Sequence, residues 1–165
     1  MKSQRSAAVI GVVDDDESVR MAISSSLRSA TWKVIAYSSA SHLLGDTRRS
    51  QLKLVVADIH MPGMDGFALL ESIKLWKRPV PVIFVTAYAT QELIERATAG
   101  GAAGFFSKPV DDARLLASCE FTGASIARDL TAERTEFVGP ATFSGLDVGR
   151  KSYWRSRGRG RTPRR

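Results

Sequence analysis

This chain of 165 residues is 44% hydrophobic and 25% charged, as globular proteins are, and no apolar run approaches the roughly 20 residues of a transmembrane helix. The single cysteine, Cys119, excludes an internal disulfide and fits a reducing cytoplasm, so we predict a cytoplasmic protein without a membrane span. The net charge of +7 is concentrated in residues 150–165, which hold eight basic and no acidic residues, and the body of the chain is close to neutral.

Five short runs of β-branched and apolar residues predict five β-strands. In chain order they are residues 9–13, 34–37, 54–57, 80–85 and 103–106. The first and third runs are apolar without interruption, which is typical of strands buried on both faces of a parallel sheet.

The segments between these runs have helical periodicity. In residues 18–29, for example, Val19, Ile23 and Leu27 lie four residues apart on one helical face. The other predicted helices are residues 39–48, 67–75, 91–99 and 111–117. Strands that alternate with helices require right-handed crossovers, so we predict an α/β fold with a doubly wound, five-stranded parallel sheet.

Polar residues follow four of the predicted strands. Asp14 and Asp15 come after the first strand, Asp58 after the third, Thr86 after the fourth and Lys108 after the fifth. Ligands of such sheets bind at the carboxyl ends of the strands. We therefore expect these five side chains to form one site.

Three carboxylates in one crevice repel one another, by about 4 kcal/mol for a pair 4 Å apart at an effective dielectric constant near 20. A divalent cation and Lys108 could both offset this repulsion. Mg²⁺ prefers oxygen ligands and often binds through one or two carboxylates and a phosphate, so we predict Mg²⁺ as the cofactor. Asp58 could then act as a carboxylate nucleophile towards a phosphoryl group.

Four segments of the chain resemble the receiver domain of bacterial response regulators, above all receivers that precede a helix-turn-helix output domain. They are ValValAspAspAspGlu at 12–17, AspIleHisMetProGlyMetAspGly at 58–66, ValThrAla at 85–87 and PheSerLysPro at 106–109. Their order and gaps also match that family. The resemblance covers residues 7–120 and implies the flavodoxin-like (βα)5 receiver fold.

The resemblance implies a role for each matching residue. Asp58 corresponds to the phosphoacceptor and Asp15 to the direct metal ligand. Asp14 would bind the metal through water or orient the site, and His60 would offer its backbone carbonyl to the metal.

The remaining matches concern the switch. Thr86 corresponds to the switch hydroxyl, Lys108 to the phosphate-binding lysine and Phe105 to the aromatic residue that turns inward on activation. Phosphorylation would then repack the surface formed by the fourth helix, fifth strand and fifth helix. Tyr88, two residues beyond Thr86, could screen an aspartyl phosphate from water.

The family also implies partners. The phosphoryl donor would be a sensor histidine kinase, and phosphorylation could drive homodimerisation. On this interpretation the protein is not an enzyme, apart from catalysing its own aspartyl phosphorylation and dephosphorylation.

After residue 120 the pattern decays. We predict a helical extension within residues 121–165, followed by a disordered Arg/Gly-rich tail, with no readable output domain. Nucleic-acid binding is not expected without such a domain, although Tyr153 and Trp154 lie among the basic residues of the tail.

Two other functions are open. A haloacid-dehalogenase-like phosphatase would use Asp14 and Asp16 as its Asp-x-Asp pair, but it would leave Asp58 and the following Pro-Gly turn unexplained. A docking adaptor with the same fold would never be phosphorylated, although the set of site residues argues against it.

Overall fold

The structure, a computed structural model, describes residues 8–129. The predicted basic tail at residues 150–165 lies outside the described residues. The strands are β1 (Val9–Val13), β2 (Lys33–Tyr37), β3 (Leu52–Ala57), β4 (Val82–Thr86) and β5 (Gly104–Ser107). The α-helices are α1 (Glu17–Ser29), α2 (Ala40–Gly45), α3 (Gly66–Lys74), α4 (Gln91–Gly100) and α5 (Asp112–Asp129), and a 3₁₀-helix spans Thr47–Gln51.

The strands form one parallel sheet in the order β2-β1-β3-β4-β5. β1 lies between β2 and β3, so the chain winds in both directions from the centre of the sheet. The predicted doubly wound, five-stranded parallel sheet is therefore confirmed. Each strand also begins and ends within two residues of its predicted bounds.

Side chains alternate between the two faces of the sheet and form two buried clusters. On one face, Val13 and Phe84 pack with Leu69 of α3 and Ile94 of α4. On the other, residues that include Val12, Val56, Leu27 of α1 and Leu115 of α5 pack together. Both faces of the strands are thus buried, in agreement with their uninterrupted apolar sequences.

The segment predicted as one helix over residues 39–48 is two elements. α2 ends at Gly45, and the Asp46 side chain accepts a hydrogen bond from the backbone N–H of Arg48 at 2.9 Å. This local hydrogen bond competes with the backbone hydrogen bonds that would extend the α-helix, so α2 ends and the chain continues as the 3₁₀-helix. α5 continues past the predicted segment of residues 111–117 to Asp129, and so enters the region in which a helical extension was predicted.

Among residues 8–129, every helix is too short or too polar to cross a bilayer.

Candidate functional site

The register of the sheet brings the acidic residues together. Val13 at the end of β1 pairs with Ala57 at the end of β3, and the Asp58 N–H donates to the Val13 carbonyl at 2.9 Å. Asp14 and Asp58 therefore leave adjacent strands at the same edge. One carboxylate oxygen from each of Asp14, Asp15 and Asp58 falls within a group whose members all lie within 4.8 Å of one another.

Burial distinguishes the three carboxylates. Asp14 is 1% exposed and Asp58 is 7% exposed, whereas Asp15 is exposed to solvent. Two acidic groups thus lie in the floor of the pocket and the third lies at its mouth. All the donors are hard oxygen atoms, a ligand set that fits Mg²⁺ and that softer metals do not prefer.

Lys108 bridges the two buried carboxylates. Its Nζ donates to Asp14 Oδ2 at 2.8 Å and to Asp58 Oδ2 at 3.1 Å. The backbone N–H of Lys108 donates to the Thr86 carbonyl at 2.8 Å, which fixes the start of this side chain at the same edge of the sheet. One ammonium group therefore partly neutralises two acidic groups.

The pKa values reflect this competition between burial and charge. Burial raises the pKa of Asp14 above its ordinary value, although the hydrogen bond from Lys108 opposes the shift. Burial lowers the pKa of Lys108, but its hydrogen bonds with Asp14 and Asp58 outweigh burial and leave that pKa above the ordinary value. Lys108 therefore stays charged, and the pocket retains a negative excess that favours a cation.

The turn after Asp58 is compact because of Gly66. A Cβ on Gly66 would lie 2.5 Å from the Asp58 carbonyl oxygen and 2.8 Å from the Cα of Ile59. The Gly66 N–H donates to the Ile59 carbonyl at 2.9 Å, and Asp65 caps α3 by accepting from the Ala68 N–H at 2.7 Å. The start of α3 is thereby held against the end of β3.

Arg20 supports the acidic turn, and our sequence interpretation missed it. From α1 its guanidinium donates to the Asp14 carbonyl at 2.7 Å and makes a longer contact of 3.5 Å with the Asp15 carbonyl. The signal in the sequence was a basic residue one turn into the helix that follows the acidic run. Asp16, by contrast, caps α1, because its side chain accepts from the Ser18 and Val19 N–H groups.

Thr86 and His60 meet at the rim of the pocket. The His60 ring Nδ1 lies 3.2 Å from Thr86 Oγ1, and the His60 backbone N–H donates to Asp58 Oδ1 at 3.2 Å. Tyr88 packs edge-on against the His60 ring. The sequence placed Thr86 at this edge correctly, but its contact with the ring of His60 was not predicted.

Phe105 lies one strand further along the sheet. It pairs with Phe84 in the β4–β5 register and is 6% exposed, in the cluster that also contains Ile94 and Ala97 of α4. Its side chain is thus at the junction of β5 and α4. Its role as a switch stays a prediction, as do the individual roles of the other site residues.

Comparison with known proteins identifies the family. The model of the response regulator receiver domain matches residues 10–120. The response regulator protein TodT of Pseudomonas putida is 36% identical over 110 residues, which cover 67% of this chain and 48% of TodT. The chain therefore belongs to the response-regulator receiver family of two-component systems.

Solved structures agree with this assignment. A CheY-like receiver domain protein from Methanospirillum hungatei has a TM-score of 0.67 and 28% identity, covering 73% of this chain and 97% of that one. The BeF3-activated receiver domain of DrrB has a TM-score of 0.64 and 25% identity, covering 69% of this chain and 95% of that one. These similarities confirm the flavodoxin-like receiver fold. The chain spans about half the length of the curated relatives it matches.

Proposed function

We propose that this protein receives a phosphoryl group on Asp58 in a two-component phosphorelay. The observation that carries the proposal is the hydrogen-bonded bridge from Lys108 to Asp14 and Asp58, within a cluster of three carboxylates. A lysine that already contacts the acceptor carboxylate is in place to neutralise the charge that a phosphoryl group brings.

Mg²⁺ is part of this proposal. Asp14, Asp15, Asp58 and the backbone carbonyl of His60 would hold the ion, with Asp15 as a direct ligand and Asp14 acting directly or through water. Bound there, Mg²⁺ would neutralise charge on the transferring phosphoryl group. The retained negative excess of the pocket and its oxygen-only donors support this choice of metal.

The transfer itself requires a nucleophile and a leaving group. A carboxylate oxygen of Asp58 forms a new bond to phosphorus while the bond from phosphorus to the phosphohistidine nitrogen breaks; with the other ring nitrogen of the donor protonated, this yields an aspartyl phosphate and a neutral imidazole. Lys108 contacts the added oxygens. The protein turns over nothing except its own phosphate, so we do not propose a separate enzymatic activity.

The switch follows from the new oxygens on Asp58. They accept hydrogen bonds from Thr86 and Lys108, and the inward movement of Thr86 changes the packing around Phe105. Because Phe105 belongs to β5 and its side chain is in the same buried cluster as Ile94 and Ala97 of α4, the movement would reach the α4-β5-α5 surface. Homodimerisation through that surface on phosphorylation belongs to the same proposal.

A sensor histidine kinase is the proposed donor. We propose a cytoplasmic location with it, because the donor phosphohistidine forms where ATP is present.

Family membership removes the dehalogenase-like phosphatase from consideration. The Asp16 carboxylate, which that alternative needed, accepts from the Ser18 and Val19 N–H groups at the start of α1. An experiment on phosphorylation distinguishes the proposed function from that of a docking adaptor with the same fold.

The test is incubation of the full chain with Mg²⁺ and acetyl phosphate, followed by intact-mass measurement. We expect a gain of one phosphoryl group, lost in Asp58→Asn and in excess chelator. Asp65→Asn is the matched control, because Asp65 lies in the same turn, contacts α3 rather than the pocket, and Asn also caps helices well. A folded protein that gains no mass would leave the docking adaptor as the better interpretation.

A further inference from the structure

His60 connects the proposed phosphoacceptor to the proposed switch residue. Its backbone N–H donates to Asp58 Oδ1, and its ring Nδ1 contacts the Thr86 hydroxyl, both at 3.2 Å. Asp58 and Thr86 leave two neighbouring strands, β3 and β4. One residue in the turn after β3 thus reaches both.

The contact with the ring matters to Thr86 because its side chain is buried. Thr86 is 0% exposed, and a buried hydroxyl without a partner costs free energy. Within residues 8–129, the hydrogen-bond partner found for this hydroxyl is the His60 ring. In the unphosphorylated protein the ring therefore stabilises the position that Thr86 occupies.

The ring is itself held in place from the solvent side. Tyr88 packs against it edge-on, with ring centroids 5.9 Å apart and an interplanar angle of 89°. Tyr88 is largely exposed, so it is not part of the core, and the effect of its packing is to restrict the orientation of the His60 ring. His60 is thus restrained at two points, at its backbone by the contact with Asp58 and at its ring by Tyr88.

We propose that His60 is a positioning residue that latches Thr86 in the unphosphorylated state and raises the threshold for switching. The inference rests on the proposed function of Asp58. In that switch the Thr86 hydroxyl moves towards the phosphoryl oxygens, and a latch requires that this movement separates the hydroxyl from the His60 ring, whichever atom carries the shared proton. Part of the free energy gained from the new contact is then spent on breaking the old one.

A substitution can separate this latch from simple shielding of the site. His60→Phe keeps an aromatic ring beside Tyr88 but removes the ring nitrogens, so it abolishes the hydrogen bond and retains the cover. A latch predicts that His60→Phe and His60→Ala behave alike. Shielding predicts instead that His60→Phe behaves like the wild type.

The experiment measures the affinity of the full chain for BeF3⁻, a phosphoryl mimic, in Mg²⁺ by isothermal titration calorimetry. We expect His60→Phe and His60→Ala to bind about fivefold more tightly than the wild type, the factor that corresponds to one neutral hydrogen bond. In the Thr86→Val background, which has no hydroxyl to latch, His60→Phe should add no further gain.

Two results would overturn the latch. One is binding by His60→Phe that is no tighter than binding by the wild type, and the other is a gain that persists in the Thr86→Val background. If His60→Phe does not fold, His60→Ala carries the same comparison. Failure of the proposed function is distinguishable, because the wild-type chain would then bind no BeF3⁻ in Mg²⁺.

Discussion

Lys108 determines how acidic residues can share a buried pocket. Burying an ionised carboxylate is costly unless it is paired, and Asp14 and Asp58 are both more than nine-tenths buried. The Lys108 ammonium contacts both, but three carboxylates against one ammonium leave a negative excess. The pocket is consequently suited to a further positive charge, and it is this imbalance that makes the site receptive to a cation.

Cys119 provides a prediction at the scale of a single residue. Its side chain is 0% exposed, and burial, with a smaller contribution from Glu120, raises the pKa of the thiol to about 12. Because the thiolate is the reactive form, the folded protein should stay unreactive towards iodoacetamide between pH 7 and about pH 9, and reaction should begin only on unfolding. Intact-mass analysis with and without urea measures this. Rapid labelling of the folded protein would contradict it.

The turn from β3 to α3 is the element that holds Asp58 in place. α3 starts so close to β3 that position 66 has no room for a Cβ, and the Asp65 cap directs the first turn of the helix. The position of the Asp58 backbone therefore depends on a glycine eight residues later.

Gly66→Ala should destabilise the protein. The added Cβ would overlap with the Asp58 carbonyl and the Ile59 backbone, which cannot rotate away, so we expect a loss on the order of 1–3 kcal/mol in the free energy of unfolding. Urea denaturation measures it, and phosphorylation by acetyl phosphate should slow as Asp58 shifts.

Gly45→Ala is the matched control for this prediction. Gly45 ends α2, and a Cβ there meets nothing within 4 Å. Its free energy of unfolding should stay unchanged or rise by up to about 1 kcal/mol, since alanine restricts the unfolded chain. Equal losses in the two variants would show that steric overlap at Gly66 is not the cause.

At the scale of the whole molecule, the order β2-β1-β3-β4-β5 gathers the site. It places β1 beside β3 and β3 beside β4, so residues from three separate parts of the chain end at one edge. A ligand bound there would connect those parts and stabilise the entire fold, because binding to the folded state alone shifts the unfolding equilibrium.

Mg²⁺ should therefore raise the melting temperature. At a concentration one hundred times its Kd the ion would add about 2.7 kcal/mol to the free energy of unfolding, which corresponds to a shift of several degrees. Thermal unfolding followed by circular dichroism measures the shift. Asp15→Asn should strongly reduce the shift in melting temperature. Glu120 is an exposed acidic residue on α5, and Glu120→Gln should leave the shift intact. An equal shift in both variants would indicate non-specific binding of the ion.

Much of the fold and of the candidate site could be predicted because the signals are local. The strands follow from apolar runs, and Asp14, Asp15, Asp58 and Lys108 follow from their place after strands. The break at Asp46 was missed because one side-chain hydrogen bond outweighed an apolar pattern that fits a longer helix. A helical extension after residue 120 was predicted, but its end could not be, because the weak periodicity after residue 117 marks no clear end.

The sequence by itself determined which residues are strand, which are polar, and at which strand ends the polar residues stand, since these properties depend on near neighbours along the chain. Only the tertiary structure decided that Lys108 contacts both Asp14 and Asp58, that Arg20 holds the acidic turn, and that the ring of His60 meets Thr86. Each of these contacts is made by a side chain, and most of them join residues far apart in the chain. They exist because packing of helices on both faces of the sheet sets the distances between them, and no local pattern encodes those distances.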